Sequence, residues 1–147
     1  MRRDWWLVEI GEHMKHYNYG IKAENRLAAA YKRRGHTTRY SEGSRGPSDI
    51  FVVRGARRLA IQVKATRGTT VRINDSLQAA EHLRQRVSKG ELKKLVAHIK
   101  RGWQPAVGLT NGDYYWTFRV HRRGDDHEFE LLHDGHLPKR PLVRRSR

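Results

Sequence analysis

The run Leu59-Ala60-Ile61-Gln62-Val63-Lys64-Ala65 carries the sharpest chemical pattern in this chain. Side chains alternate across a strand, so Leu59, Ile61 and Val63 share an apolar face, while Gln62 and Lys64 stand on the other, about 7 Å apart. An amide and an ammonium on one strand face suit a solvated surface equally well. Asp49 sharpens the pattern, because it opens the preceding apolar run Ile50-Phe51-Val52-Val53. If a hairpin around Gly55 joins the two runs, Asp49 comes near Gln62 at one end of the ladder, and a carboxylate, an amide oxygen and an ammonium converge. Asp at a strand start is also an ordinary turn former. Glu24 recurs at helical spacing with Ile21, Leu27, Ala28 and Tyr31. Burying an unpaired carboxylate there costs several kcal/mol, roughly, so Glu24 calls for a cation, a metal or a hydrogen-bond network. Its simpler reading is a first-turn acid that favours the helix dipole from the surface.

Other constellations are weaker. His13 and His16 are near neighbours, and His121, His127, His133 and His136 occur among Asp125, Asp126 and Asp134. Imidazole and carboxylate suit zinc, yet the spacing fits no zinc motif and there is no H-E-x-x-H; surface His and turn-forming Asp are the plainer account. Tyr114-Tyr115-Trp116-Thr117-Phe118 has base-stacking composition, but alternation puts Tyr114, Trp116, Phe118 and Val120 on one face, as in a core. No G-x-x-x-x-G-K loop occurs, so no nucleotide cofactor is expected.

These side chains need elements to hold them. Residues 20–34 read as a helix, with Gly35 where a C-terminal cap belongs and Lys32, Arg33 and Arg34 in the last turn. A short strand near Thr37–Ser41 follows, then a Gly/Pro/Ser-rich loop over Glu42–Ser48. Asp49–Arg54 and Arg58–Thr66 read as strands joined by a tight turn at Gly55-Ala56, and Thr69–Ile73 as a further sheet segment. Asp75 or Ser76 is placed to cap a helix through about Val87. Lys89-Gly90 reads as punctuation before a helix Glu91–Lys100 with the stripe Leu92, Leu95, Val96 and Ile99, ended by Gly102. Pro105–Leu109 and Tyr114–Val120 read as strands around Asn111-Gly112, and Glu128–His133 as a last edge strand. This order predicts an α/β (α+β) domain: a central mixed sheet flanked by helices. Its divisions would be an N-terminal arm over 1–19, one domain over 20–137 and a basic tail over 138–147.

The chain has 147 residues, 31 Lys plus Arg against 15 Asp plus Glu, a net charge of +16 and no Cys. One domain of this length buries a sizeable core. The lack of Cys excludes disulfides, Cys-type zinc sites and a thiol nucleophile. No apolar run approaches the roughly 20 residues of a membrane span, and Trp5-Trp6-Leu7-Val8 is too short for a signal-peptide core. A cytoplasmic, nucleoid-associated protein with no membrane partner is the expectation. So high a charge repels itself in the compact state, and nucleic acid is the partner that best offsets it.

Taken together, Glu24 in "GIKAENRLAAAYKRRG", Asp49 in "GSRGPSDIFVV" and Gln62 and Lys64 in "LAIQVKAT" resemble the active-site pattern of the PD-(D/E)XK nuclease superfamily. In layout the chain looks most like the archaeal-type Holliday junction resolvases, including the later "ELKKLVAHIKRGWQPAVGL", over roughly residues 18–120. The resemblance implies a restriction-endonuclease-like fold and an endonuclease that hydrolyses phosphodiester bonds in branched DNA with Mg²⁺ or Mn²⁺. It implies catalytic Glu24, Asp49, Gln62 and Lys64, with Asp49, Gln62 and Glu24 as metal ligands, and a homodimer or higher homo-oligomer. Ser44, Arg45, Arg67, Arg33 and Arg34 are the candidate DNA contacts. One residue departs from the pattern: the superfamily's usual acid is Gln62 here, a Q-x-K variant also similar to some homing endonucleases. Gln still offers an oxygen to a hard cation, at the loss of one negative charge. Two alternatives follow, a sequence-specific homing or restriction-type endonuclease and a non-catalytic DNA-binding protein with a remnant site.

Overall fold

The computed structural model describes residues 20–40, 50–66 and 73–138. The segments 1–19, 41–49, 67–72 and 139–147 lie outside the described residues, and with them Asp49, Ser44, Arg45, Arg67, the N-terminal arm, most of the basic tail and all but the end of the Thr69–Ile73 segment.

Helix α1 spans 20–33. Ala23, Leu27, Ala28, Ala30 and Tyr31 form its buried stripe. It stops because Gly35 turns left-handed at φ 93, which lets the His36 amide return to the Tyr31 carbonyl at 3.0 Å. Six strands follow in sequence order across one sheet: β1 Thr37–Tyr40, β2 Ile50–Arg54, β3 Arg57–Ala65, β4 Gln104–Thr110, β5 Tyr114–Arg123 and β6 Asp126–His136. All neighbours are antiparallel except β3 and β4, which run parallel. A parallel pair needs a crossover, and α2 (Ser76–Arg86), α3 (Lys89–Val96) and a 3₁₀ segment (Ala97–Arg101) supply it. The expected α+β architecture, a mixed sheet with helices on both faces, is what forms.

Alternation sorts two cores. Leu27, Ala28 and Tyr31 of α1 pack on Ile50, Val52, Leu59, Ile61, Ala106 and Tyr115. Leu83, Leu92 and Leu95 of α2 and α3 pack on Val107, Leu109, Trp116, Phe118 and Val120 across the sheet. The strand 114–120 is therefore buried on both faces, with Tyr115 and Thr117 under α1 as well as the expected aromatic stripe under α2 and α3. No described helix is long and apolar enough to cross a membrane.

Several boundaries differ from the sequence expectation. Helix α3 starts at Lys89, two residues before Glu91, because Ser88 caps it: its Oγ accepts from the Glu91 amide, and Glu91 Oε1 accepts from the Ser88 amide. Gly90 therefore lies inside the first turn. At the other end the helix tightens to 3₁₀ at Ala97, which rotates Ile99 off the apolar stripe and leaves it 55 % exposed. β6 is also longer than Glu128–His133, since its pairing with β5 runs from Asp126 to His136.

Candidate active site

The site grows from two local rules. Strand β3 pairs in register with β4, Gln62 opposite Val107 and Lys64 opposite Leu109. Both polar side chains thereby share the face that α2 and α3 cover. The capping box then fixes Glu91 at the start of α3 above that face. Glu91 Oε2 accepts from Gln62 Nε2 at 2.6 Å and from Lys64 Nζ at 2.9 Å. Its other oxygen, Oε1, accepts from the Ser88 amide at 3.0 Å.

This triad is tightly determined. A carboxylate only accepts, so the Gln62 amide must turn its nitrogen to Glu91. That leaves Gln62 Oε1 buried with no hydrogen-bond partner among the described residues. Burial raises the Glu91 pKa, but the Ser88 amide, Lys64 and Gln62 outweigh it and hold the carboxyl down to about 2. Glu91 is therefore an anion at any ordinary pH and a poor proton acceptor. The Lys64 ammonium is held in place by it at 23 % side-chain exposure.

Gln62 and Lys64 meet as the alternation rule anticipated. Glu24 is on α1, half-buried on the opposite face of the sheet, where its charge raises the Tyr40 phenol together with the larger effect of burial. Tyr40 pairs with Ile50, and Ile50 with Ile61. Glu24 thus stands at the same end of the sheet as Gln62, in the other layer. Asp49 precedes Ile50 and lies outside the described residues, as do Ser44, Arg45 and Arg67. Arg33 is exposed. Arg34 is spent on structure, its Nε donating to the Tyr115 hydroxyl at 2.6 Å and its Nη2 to the Asp134 carbonyl at 3.0 Å.

Glu91 is the residue that reading the sequence missed. Its signal was present as Ser88-Lys89-Gly90-Glu91, an S-x-x-E box, obscured by taking Lys89-Gly90 as a helix stop. Among the His and Asp residues near the C-terminus, His121 pairs with Glu130 at 2.6 Å and His133 Nδ1 meets the Tyr31 hydroxyl at 2.9 Å. No cluster of three or more His, Asp or Glu suited to a metal occurs among the described residues.

The donors present suit a hard cation in one respect: a buried, unpartnered amide oxygen at Gln62 is the kind of ligand such a cation takes. The chain matches no known family profile and no curated protein. Among solved structures it is similar to a Holliday junction resolvase from the archaeal hyperthermophile Archaeoglobus fulgidus, with a TM-score of 0.49 and 20 % identity over 71 % of this chain and 80 % of that one.

Proposed function

We propose that this chain is a divalent-cation-dependent endonuclease that hydrolyses phosphodiester bonds in branched DNA. The observation that carries the reading is the side-by-side placement of a fixed ammonium and a buried, unpartnered amide oxygen, Lys64 and Gln62 Oε1, on one strand face. A surface strand has no reason to bury an amide to 8 % exposure and leave its oxygen without a partner. The net charge of +16 supplies the attraction for a polyanion.

In this reading Gln62 Oε1 and the carboxylates of Asp49 and Glu24 hold Mg²⁺ or Mn²⁺. The cation, when bound, acidifies a water and shields charge on the phosphate. Lys64 meets the negative charge that grows on a non-bridging oxygen as the water oxygen bonds to phosphorus and a P–O bond breaks. Glu91 positions Lys64 and turns the Gln62 amide, touching neither water nor phosphate. Cutting both strands of a branch calls for two such sites, which a two-fold homodimer provides.

One feature favours a rival. Lys64 and the Gln62 nitrogen are both already engaged by Glu91, as expected of a remnant site in a protein that only binds DNA. Incubating the chain with labelled four-way junction and linear duplex, in Mg²⁺, Mn²⁺ or EDTA, separates the readings. Nicking of the junction that needs the cation and falls by roughly a hundredfold or more in Lys64→Ala supports the endonuclease. Binding without nicking in either cation overturns it, and cleavage of one duplex sequence with junctions ignored assigns a homing or restriction-type enzyme instead.

A further inference from the structure

Helix α3 meets the Lys64 site with one side and a cleft with another. Glu91 turns toward β3 and accepts from Lys64. Lys89, Lys93 and Val96 recur at four- and three-residue spacing, so they line a different face of the helix. That face borders a cleft of about 410 Å³ whose other wall is the β5–β6 hairpin, with Arg122, Asp125 and His127. Register builds this second wall. Val120 pairs with Phe129, and both pack in the core under α2 and α3. Two residues further out, Arg122 pairs with His127 on the same face of the sheet. Two lysines and an arginine thus border one cleft with a single carboxylate, Asp125. The arrangement costs the fold stability. Lys89 opens α3, where a cation opposes the helix dipole, and it stands four residues from Lys93, a spacing at which like charges repel. Among the described residues neither lysine has an ion pair. Arg122 donates through Nε to the Gly124 carbonyl at 3.1 Å, and no described acid pairs with its guanidinium.

We infer that this cleft is an anchor for DNA, in which Lys89, Lys93 and Arg122 hold backbone phosphates of a duplex arm while Lys64 faces a different phosphate of the same molecule. Cations that repel one another in the free protein are offset once a phosphodiester lies between them, so their convergence points to an anion. The volume admits a phosphate with its flanking sugars. No Phe, Tyr or Trp lines the cleft, so it offers no platform on which bases stack. Contacts of this kind fix where the DNA lies and carry no sequence information. Helix α3, about 10 Å across with its side chains, separates the cleft from Lys64 and sets the two phosphates apart. The inference rests on the nucleic-acid part of the proposed function and uses none of its chemistry.

The test is binding in EDTA, where cleavage does not enter, with two fluorescent duplexes of unrelated sequence across a salt series. Lys89→Ala with Lys93→Ala is expected to weaken binding of both duplexes about tenfold and to flatten the logarithmic salt slope by about 1.8, two phosphate contacts at about 0.9 each. Arg122→Ala is expected to flatten it by about 0.9. Lys22→Ala with Lys32→Ala removes two charges from exposed positions on α1, in the other layer, and is expected to change affinity less than about twofold because salt screens distant charges. The α3 pair is expected to melt no lower than the parent, since the change removes repulsion and breaks no ion pair. Equal losses from the α1 and α3 pairs would mean net charge alone and overturn the anchor, as would an unchanged salt slope in the α3 pair or a loss confined to one duplex. A lower melting temperature in the α3 pair with affinity unchanged would assign these lysines to the fold and overturn it too. Inorganic phosphate probes the other source of such an anion: if micromolar phosphate raises the melting temperature of the parent while the variants leave duplex affinity untouched, the cleft is a small-phosphate site and the DNA anchor is overturned. Failure to nick DNA with the expected binding results intact would remove the endonuclease and leave the anchor.

Discussion

At the scale of single residues, Glu91 accepts from Ser88, Lys64 and Gln62 together, and those bonds hold its pKa near 2 against burial. The unfolded chain takes up this proton near 4.5. Protons therefore favour unfolding between those values: the stabilisation from Glu91 is complete above about pH 4.5 and is lost as pH falls toward about 2. Glu91→Gln is expected to flatten the melting temperature across that window, and an unchanged slope in acid melts would show that the bonds do not form in solution. Gln62 supplies a second test. Gln62→Glu puts a carboxylate where an amide now donates to Glu91 at 2.6 Å. Two anions at that distance repel unless a proton or a cation lies between them. The variant is expected to melt several degrees below the parent in EDTA and to regain most of the loss in millimolar Mn²⁺, by mass action on the folded state. Equal melting temperatures with and without Mn²⁺ would count against a cation at this position.

At the scale of elements, α1 packs closely on β4 at Gly108. Gly108 is buried opposite Thr117, and a Cβ built on it would meet Leu27 Cδ2 at 3.0 Å and Ile61 Cγ2 at 3.3 Å. Both neighbours are fully buried in the α1 core. Gly108→Ala is expected to destabilise the fold by about 1–3 kcal/mol through overpacking, read as a lower urea midpoint at unchanged slope. Combined with Leu27→Ala it is expected to cost less than the sum of the two single changes, because the added methyl enters the space that Leu27 vacates. Both helix boundaries that departed from expectation belong to this scale too. The α3 start was written in Ser88 and Glu91, yet Gly90 argued against it locally. The 3₁₀ turn at Ala97 has no sequence mark, because continued helix would keep Ile99 on the stripe.

At the scale of the whole molecule, the first described helix is fastened to the last strand. Tyr31 bonds His133, Arg34 bonds Tyr115 and the Asp134 carbonyl, and Arg26 Nε donates to the Pro138 carbonyl at 3.2 Å. Burial, with the charges of Arg34, His36 and Arg57 added, lowers the His133 pKa to about 4 from 6.5. The folded state thus keeps His133 neutral where the unfolded chain protonates it. Stability is complete above about pH 6.5 and declines as pH falls toward about 4, a window above that of Glu91. His133→Gln is expected to be less stable than the parent at neutral pH and less sensitive to pH between 6.5 and 4. An equally steep decline in the variant would place the effect elsewhere.

Composition and periodicity determined what short-range physics controls. Alternation put Gln62 beside Lys64, helical spacing found α1 and the body of α3, a capping residue marked α2, Gly55-Ala56 marked the β2–β3 turn, and the excess of basic residues pointed to a polyanion. Each of these is written in neighbours a few positions apart. The contact of Glu91 with Gln62 and Lys64 spans 29 and 27 positions, and Phe51 of β2 meets Trp103, 52 positions on, just before β4. Strand register and helix docking create such meetings, and both are settled by how the two cores close. The same holds for Glu24, whose helical stripe was legible while its layer was not: which face of the sheet α1 covers depends on Leu59 and Ile61, far along the chain.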